Sequence, residues 1–99
     1  MGSLLFDWDD ANLQHIALHG VSAQEAEDAV ASNPWDIGSE IVHAEERVAQ
    51  LGETRAGRIL LVVTTWRGDA LRVVTAYEPA KRLKAAYWTQ KAKEHGQKA

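Results

Sequence analysis

A chain of 99 residues with no cysteine makes one domain with a small core and excludes disulfide and thiol chemistry. No apolar run approaches a membrane span and no secretory pattern follows Met1, so a soluble cytoplasmic protein is expected. Ten acids and no Lys or Arg fall in residues 1–46, whereas eleven Lys/Arg and four acids follow from Arg47 onward, so a net charge of −3 conceals two opposed halves. Such asymmetry can focus a polyanion on one surface or attract a charged partner. It can also close on itself, and self-pairing is the reading that any functional one must overcome.

Met1, Gly2 and Ser3 can be partly a cloning remnant, and the ordered core is expected over about residues 4–92 of a single 1–99 domain. Leu4, Leu5 and Phe6 read as a short strand. Asp7 can cap a first helix with Asp9 and Asp10 in its first turn. Leu13, Ile16 and Ala17 supply its apolar stripe, and His19-Gly20 end it. Ser22 caps a second helix, with Glu25 at the capping-box spacing. Ala26, Ala29 and Val30 give it a narrow face for close packing, and Asn33-Pro34 stop it.

Trp35 to Ile41 has no clear pattern. A strand is expected from about Glu46 to Leu51. Ile59 to Trp66 is the clearest strand, an unbroken apolar run suited to a sheet covered on both faces. Arg67-Gly68-Asp69 makes a turn, and Ala70 to Tyr77 returns antiparallel. Pro79 suits the first position of a last helix. Ala80, Leu83 and Tyr87 are expected to face the sheet there, and Lys93 to Ala99 to fray. The order predicts an α+β domain with a small antiparallel sheet, two N-terminal helices and a C-terminal helix.

His15 and His19 lie four apart, a spacing that can hold zinc. No third ligand is indicated, and Ile16 stands where a zincin-type motif needs Glu. The plain reading is an exposed His15 and a helix-ending His19. Arg67-Gly68-Asp69 is a hairpin turn rather than an adhesion signal, and Gly57-Arg58-Ile59 precedes a strand, so it is no phosphate loop.

Arg58, Arg67, Arg72, Lys81, Arg82 and Lys84 fall at sheet edges and at the start of the last helix, where cations can hold phosphates. Cleaving RNA by 2′-oxygen attack requires a base, an acid and cationic cover. His43, Glu46, Tyr77 and Tyr87 are candidate proton-transfer groups. Salt bridges, solvated surface and core-margin aromatics are the plain alternatives. Trp8 and Trp66 are expected at the core margin, Trp35 and Trp88 half exposed. Trp88, beside core-facing Tyr87, is the best interface anchor.

Phe6-Asp7-Trp8-Asp9, Asn12-Leu13 and His19-Gly20-Val21-Ser22 with Glu25-Ala26 open an ordered series. Glu46-Arg47 with Leu51-Gly52, Gly57-Arg58 through Val63, Thr65, Arg67-Gly68 and Arg72 through Ala76 continue it. Over roughly residues 5–87 the series resembles the BrnT toxin family. The resemblance implies a RelE-like ribonuclease fold and a type II toxin that cleaves RNA without metal or other cofactor and inhibits translation. It also implies neutralisation by a BrnA-like antitoxin, through which alone the complex meets DNA. It carries cationic roles onto Arg58, Arg67 and Arg72, and His19 onto the helix-end motif. The family's Ser-Ala-Arg is Thr75-Ala76-Tyr77 here. Leu83 stands near its usual Glu, and Leu18 takes the place of Lys before its His-Gly.

In the catalytic reading Arg58, Arg72, Lys81 and Arg82 cover phosphate charge in one electropositive pocket, and Tyr77 or Tyr87 assists proton transfer. Arg67, Lys84 and Trp88 extend the RNA contact, with His19, His43 and Glu46 as further candidates. The second reading is a catalytically impaired module that binds protein or RNA, and a third is a toxin with another target. A homodimer is compatible with a small, Trp-rich chain.

Overall fold

Two capping boxes set where the N-terminal helices begin. The computed structural model describes residues 4–96, so the expectations about Met1–Ser3 and about residues 97–99 lie outside the described residues. Helix α1 (Asp10–Ala17) starts after Asp9, whose carboxylate accepts from the Asn12 amide at 3.0 Å while Asn12 Oδ1 accepts from the Asp9 amide at 2.8 Å. Asp9, not Asp7, is therefore the cap, because Asn12 stands three residues after it. Asn12 is buried, and its Nδ2 donates to Val73 O at 3.0 Å. Helix α2 (Ala23–Ala31) starts at the predicted Ser22–Glu25 box and buries Ala26, Ala29 and Val30.

The strands are β1 (Leu5–Phe6), β2 (Trp35–Val42), β3 (Glu45–Glu53), β4 (Ile59–Arg67) and β5 (Ala70–Tyr77), followed by helix α3 (Lys81–Gly96). They form one sheet in the order β1-β5-β4-β3-β2. The sheet is mixed, since β1 runs parallel to β5 while the other pairs are antiparallel. The unpatterned Trp35–Ile41 segment is edge strand β2. Its tight turn into β3 is made by His43 and Ala44 at φ 51 and 63, the doubly left-handed geometry that hairpin twist favours.

β4 explains the unbroken apolar run. Leu60 and Val62 join Ile16, Ala26, Ala29, Val30, Leu71, Val73 and Ala76 under α1 and α2. Ile59 and Leu61 join Leu51 and Tyr87 on the face under α3. Side chains of a strand alternate between faces, so two covers require apolar residues at every position.

Several local expectations are corrected. Leu13 and Ala17 are exposed and only Ile16 and Asn12 of α1 are buried, because α1 lies over the sheet margin at β5. Helix α3 begins at Lys81, so Pro79 precedes it rather than opening it; Pro79 is buried, and Ala80, expected against the sheet, is exposed. The helix runs to Gly96, past Lys93. Trp66 is 58% exposed rather than at the core margin. Trp8 does lie against the core and donates to Glu27 at 2.8 Å. No helix among the described residues is long and apolar enough to cross a membrane.

Candidate active site

The end of α1 meets the start of β4 and the end of β5. The turn after α1 is closed by the His19 amide on Ile16 O at 3.0 Å and the Gly20 amide on Ala17 O at 2.9 Å. Gly20 takes φ 73, a conformation that suits glycine. The turn aims its own carbonyl at β4, where Gly20 O accepts from Arg58 Nη1 at 2.9 Å. Arg58 stands just before β4, its amide held by Thr54 Oγ1 at 3.1 Å.

His19, Arg58, Thr75, Tyr77 and Glu78 line an open cleft of about 400 Å³. His15, in the last turn of α1, stands beside the cleft, with Nε2 3.0 Å from Thr75 Oγ1. Its ring meets His19 edge-on at 5.3 Å between centroids, and His19 lies 5.9 Å from Tyr77. Two imidazoles and a phenol thus stand in line beside a guanidinium.

The cations here are not bare. Arg58 Nη1 lies 3.0 Å from Glu25 Oε2, and Arg58 Nε lies 3.4 Å from Glu78 Oε1. Lys84 Nζ pairs with the other Glu78 oxygen. The Ser22 amide, and after it Arg58, holds the Glu25 carboxyl below its ordinary value. Lys84, then Arg58, does the same to Glu78. Asp9 is lowered first by the Asn12 amide and then by Arg72, and Glu45 first by Arg67.

A carboxylate with a depressed folded pKa contributes stability that is complete above its unfolded value and disappears as pH falls through the folded one. All four are depressed from 3.8 (Asp9) or 4.5 (Glu25, Glu45, Glu78). Stability is therefore expected to stay level down to those values and to fall at lower pH, as urea midpoints measured across that range would show. An unchanged midpoint at pH about 3 would contradict these pairings.

Arg72, Arg67, Glu46, His43 and Tyr87 do not converge on this cleft, so the single electropositive pocket that joins Arg72 to Arg58 does not form. Arg72 lies opposite Thr65, seven positions along β4 from Arg58, or roughly 20 Å of strand. Its guanidinium reaches Asp9 Oδ2 at 3.0 Å and Asp7 Oδ2 at 3.6 Å. Arg67, at the far hairpin, pairs with Glu45 at 2.9 Å. Glu46 lies near it, beside Trp66, and His43 is an exposed turn residue.

Tyr87 is buried on the α3 face, where it donates to Glu53 at 3.0 Å. Burial, and after it Glu53, pushes its phenol up to about 12, so it is a core residue that keeps its proton. Trp88 packs edge-on against Tyr87 and is 48% exposed. Lys81 and Arg82 are exposed at the start of α3.

Sequence reasoning missed His15 as a cleft residue, and Thr75, Glu25 and Glu78 as its supports. The four-residue spacing of His15 and His19 was the available signal, but it was weighed only for metal. Among the described residues no three His, Asp or Glu lie close enough together to hold a metal ion.

A family model described as the ribonuclease toxin BrnT of type II toxin-antitoxin systems matches residues 8–82. The chain belongs to the BrnT toxin family. No curated protein and no solved structure matches it. Membership makes it a toxin of a ribonuclease family with an antitoxin as partner. The matched BrnT stretch takes in His15, His19, Arg58, Thr75, Tyr77 and Glu78, and it stops before Lys84, Tyr87 and Trp88. The cleft is thus almost wholly BrnT sequence, whereas most of α3 lies beyond the match.

Proposed function

We propose that this BrnT-family toxin cleaves RNA without a metal, inhibits translation by doing so, and works from the cleft between the ends of α1 and β5. The observation that carries this is the row His15–His19–Tyr77 beside Arg58. His19 takes the proton from a ribose 2′-hydroxyl, and the 2′-oxygen bonds to phosphorus. The bond from phosphorus to the 5′-oxygen breaks, and that oxygen receives a proton from His15, which Thr75 orients. The products are a 2′,3′-cyclic phosphate and a free 5′-hydroxyl. Arg58 covers the charge on the phosphorane and exchanges part of its contact with Glu78 for the substrate. Lys81, Arg82 and Lys84 hold the flanking phosphates, and Tyr77 packs on the sugar or a base.

A second reading, a binding module without turnover, is favoured by one specific observation. Arg58, Arg67 and Arg72 are each already paired with carboxylates. The test is purified protein with total RNA in excess chelator. Discrete fragments ending in cyclic phosphate are expected. RNA left intact by a large molar excess of folded protein overturns the nuclease in favour of the binding module.

A further inference from the structure

The sheet face that α2 covers at one end leaves Ile41, Glu46 and Trp66 exposed at the other, beside buried Thr64. Gly52 and Leu60 lie under α2. Along the same face, side-chain alternation and register bring Ile41, Glu46, Val48, Thr64 and Trp66 together. Ala44, Glu45, Glu46, Val48, Thr64, Thr65 and Trp66 line a groove of about 450 Å³ there. Ile41, at its margin on β2, is 70% exposed. Beyond Ile41 the sheet ends. Among the described residues β2 pairs only with β3, so its outer backbone edge is open there across eight residues, six of them exposed.

An open, partly apolar edge is a hazard that proteins usually suppress with charge. β2 carries Asp36 and Glu40 and no cation. Arg47 lies opposite Glu40 but turns to Glu45 at 3.3 Å, and Arg67 also pairs with Glu45. Glu40 and Glu46 have no salt-bridge partner among the described residues. Asp36 and Glu40 act against a second copy, because β2–β2 pairing would set two strands of like charge side by side. They act against RNA for the same reason. They favour a polypeptide with cations beside its apolar anchor.

We infer that β2 and this groove are the docking surface for an extended, basic segment of the protein antitoxin. The segment adds to β2 as a sixth strand, with an apolar side chain against Ile41 and Lys or Arg beside Glu40, and its continuation crosses the groove to reach Glu46 and Trp66. Main-chain hydrogen bonds supply affinity in such strand addition, and the side chains supply selectivity. The inference rests on the toxin-antitoxin reading above but not on the nuclease centre. Trp66 and Arg58 stand near opposite ends of β4, about 25 Å apart along the strand.

Hydrogen exchange of the full chain, with and without the cognate antitoxin, tests it. Amides of residues 35–42 are expected to slow on binding. Trp66→Ala, and Glu40→Lys combined with Glu46→Lys, are each expected to weaken antitoxin binding about tenfold or more and to leave RNA cleavage unchanged. Protection confined to the His19–Arg58–Tyr77 cleft, or Kd values unchanged in both variants, overturns the docking surface and spares the toxin-antitoxin reading. Protection of 35–42 by RNA, or by raising the protein's own concentration, overturns it likewise. Folded protein that binds no antitoxin overturns both. Antitoxin bound at β2 by a chain that leaves RNA intact sustains the docking surface and removes only the nuclease.

Discussion

His19→Ala is expected to lower RNA cleavage by about 10²- to 10⁴-fold, the range that a positioned acid or base contributes, and to leave the fold in place. His19 is exposed beyond the end of α1, while the helix is anchored by buried Ile16 and Asn12. Removing the imidazole therefore empties no core. The ring stands between His15 at 5.3 Å and Tyr77 at 5.9 Å, the middle of the row. His15→Ala is expected to fall in the same range, and the double variant to fall little further, since base and acid serve one transition state. Single-turnover rates on one RNA, with circular dichroism and antitoxin binding as controls for folding, decide it. If His19→Ala cleaves at the parent rate, proton transfer lies elsewhere and His19 merely ends a helix.

Legibility in the sequence followed physical redundancy. β4 was readable because both faces of its first half are covered and Ile59 through Val63 are all apolar. The start of α2 was readable because Ser22 and Glu25 satisfy one another locally, whatever surrounds them. β2 was opaque for the opposite reason. It is a solvated edge with a register shift between Asp36 and Gly38, so no alternation survives to be read. Strand β1 was read, but its parallel pairing with β5 was hidden, because a pairing of two residues leaves no pattern in the chain.

Charge shows what composition can and cannot say. The segregation of acids and bases does close on itself, through Asp28–Arg55, Glu25–Arg58, Asp9–Arg72 and Glu45–Arg67. A sequence displays Arg58 and Arg72 as equal cations. Only the fold shows that one lines a cleft with His19 and Tyr77 while the other ties β5 to the cap of α1. Tyr87 was readable as a core residue from its spacing with Leu83, and that placement removes it from the chemistry. His15 needed the fold, because its partner Thr75 is sixty residues away.

Gly52→Ala is expected to be the most damaging single methyl in the molecule. A Cβ built at Gly52 would lie 2.1 Å from Ala29 O, 2.7 Å from Ala29 C and 3.1 Å from Ala29 Cα. All three are backbone atoms of α2, so no side chain can swing aside and the helix itself must lift from β3. Overpacking costs about 1–3 kcal/mol and sometimes more, and a helix backbone as the obstacle puts this case at about 3 kcal/mol or above. For a domain of this size each kcal/mol is about 4–8 °C in Tm, so a fall of at least about 12 °C is expected. Gly38→Ala is the control, because nothing lies within 4 Å of its Cβ position and its φ is not positive. Lifting α2 also displaces Glu25, which holds Arg58 at 3.0 Å, so cleavage should decline below the new Tm as well. Adding Ala29→Gly should not rescue the variant, because the obstruction is the carbonyl of residue 29 and not its methyl. Rescue by that second change, or a Tm within about 2 °C of the parent, would mean that α2 does not sit on β3 at this distance.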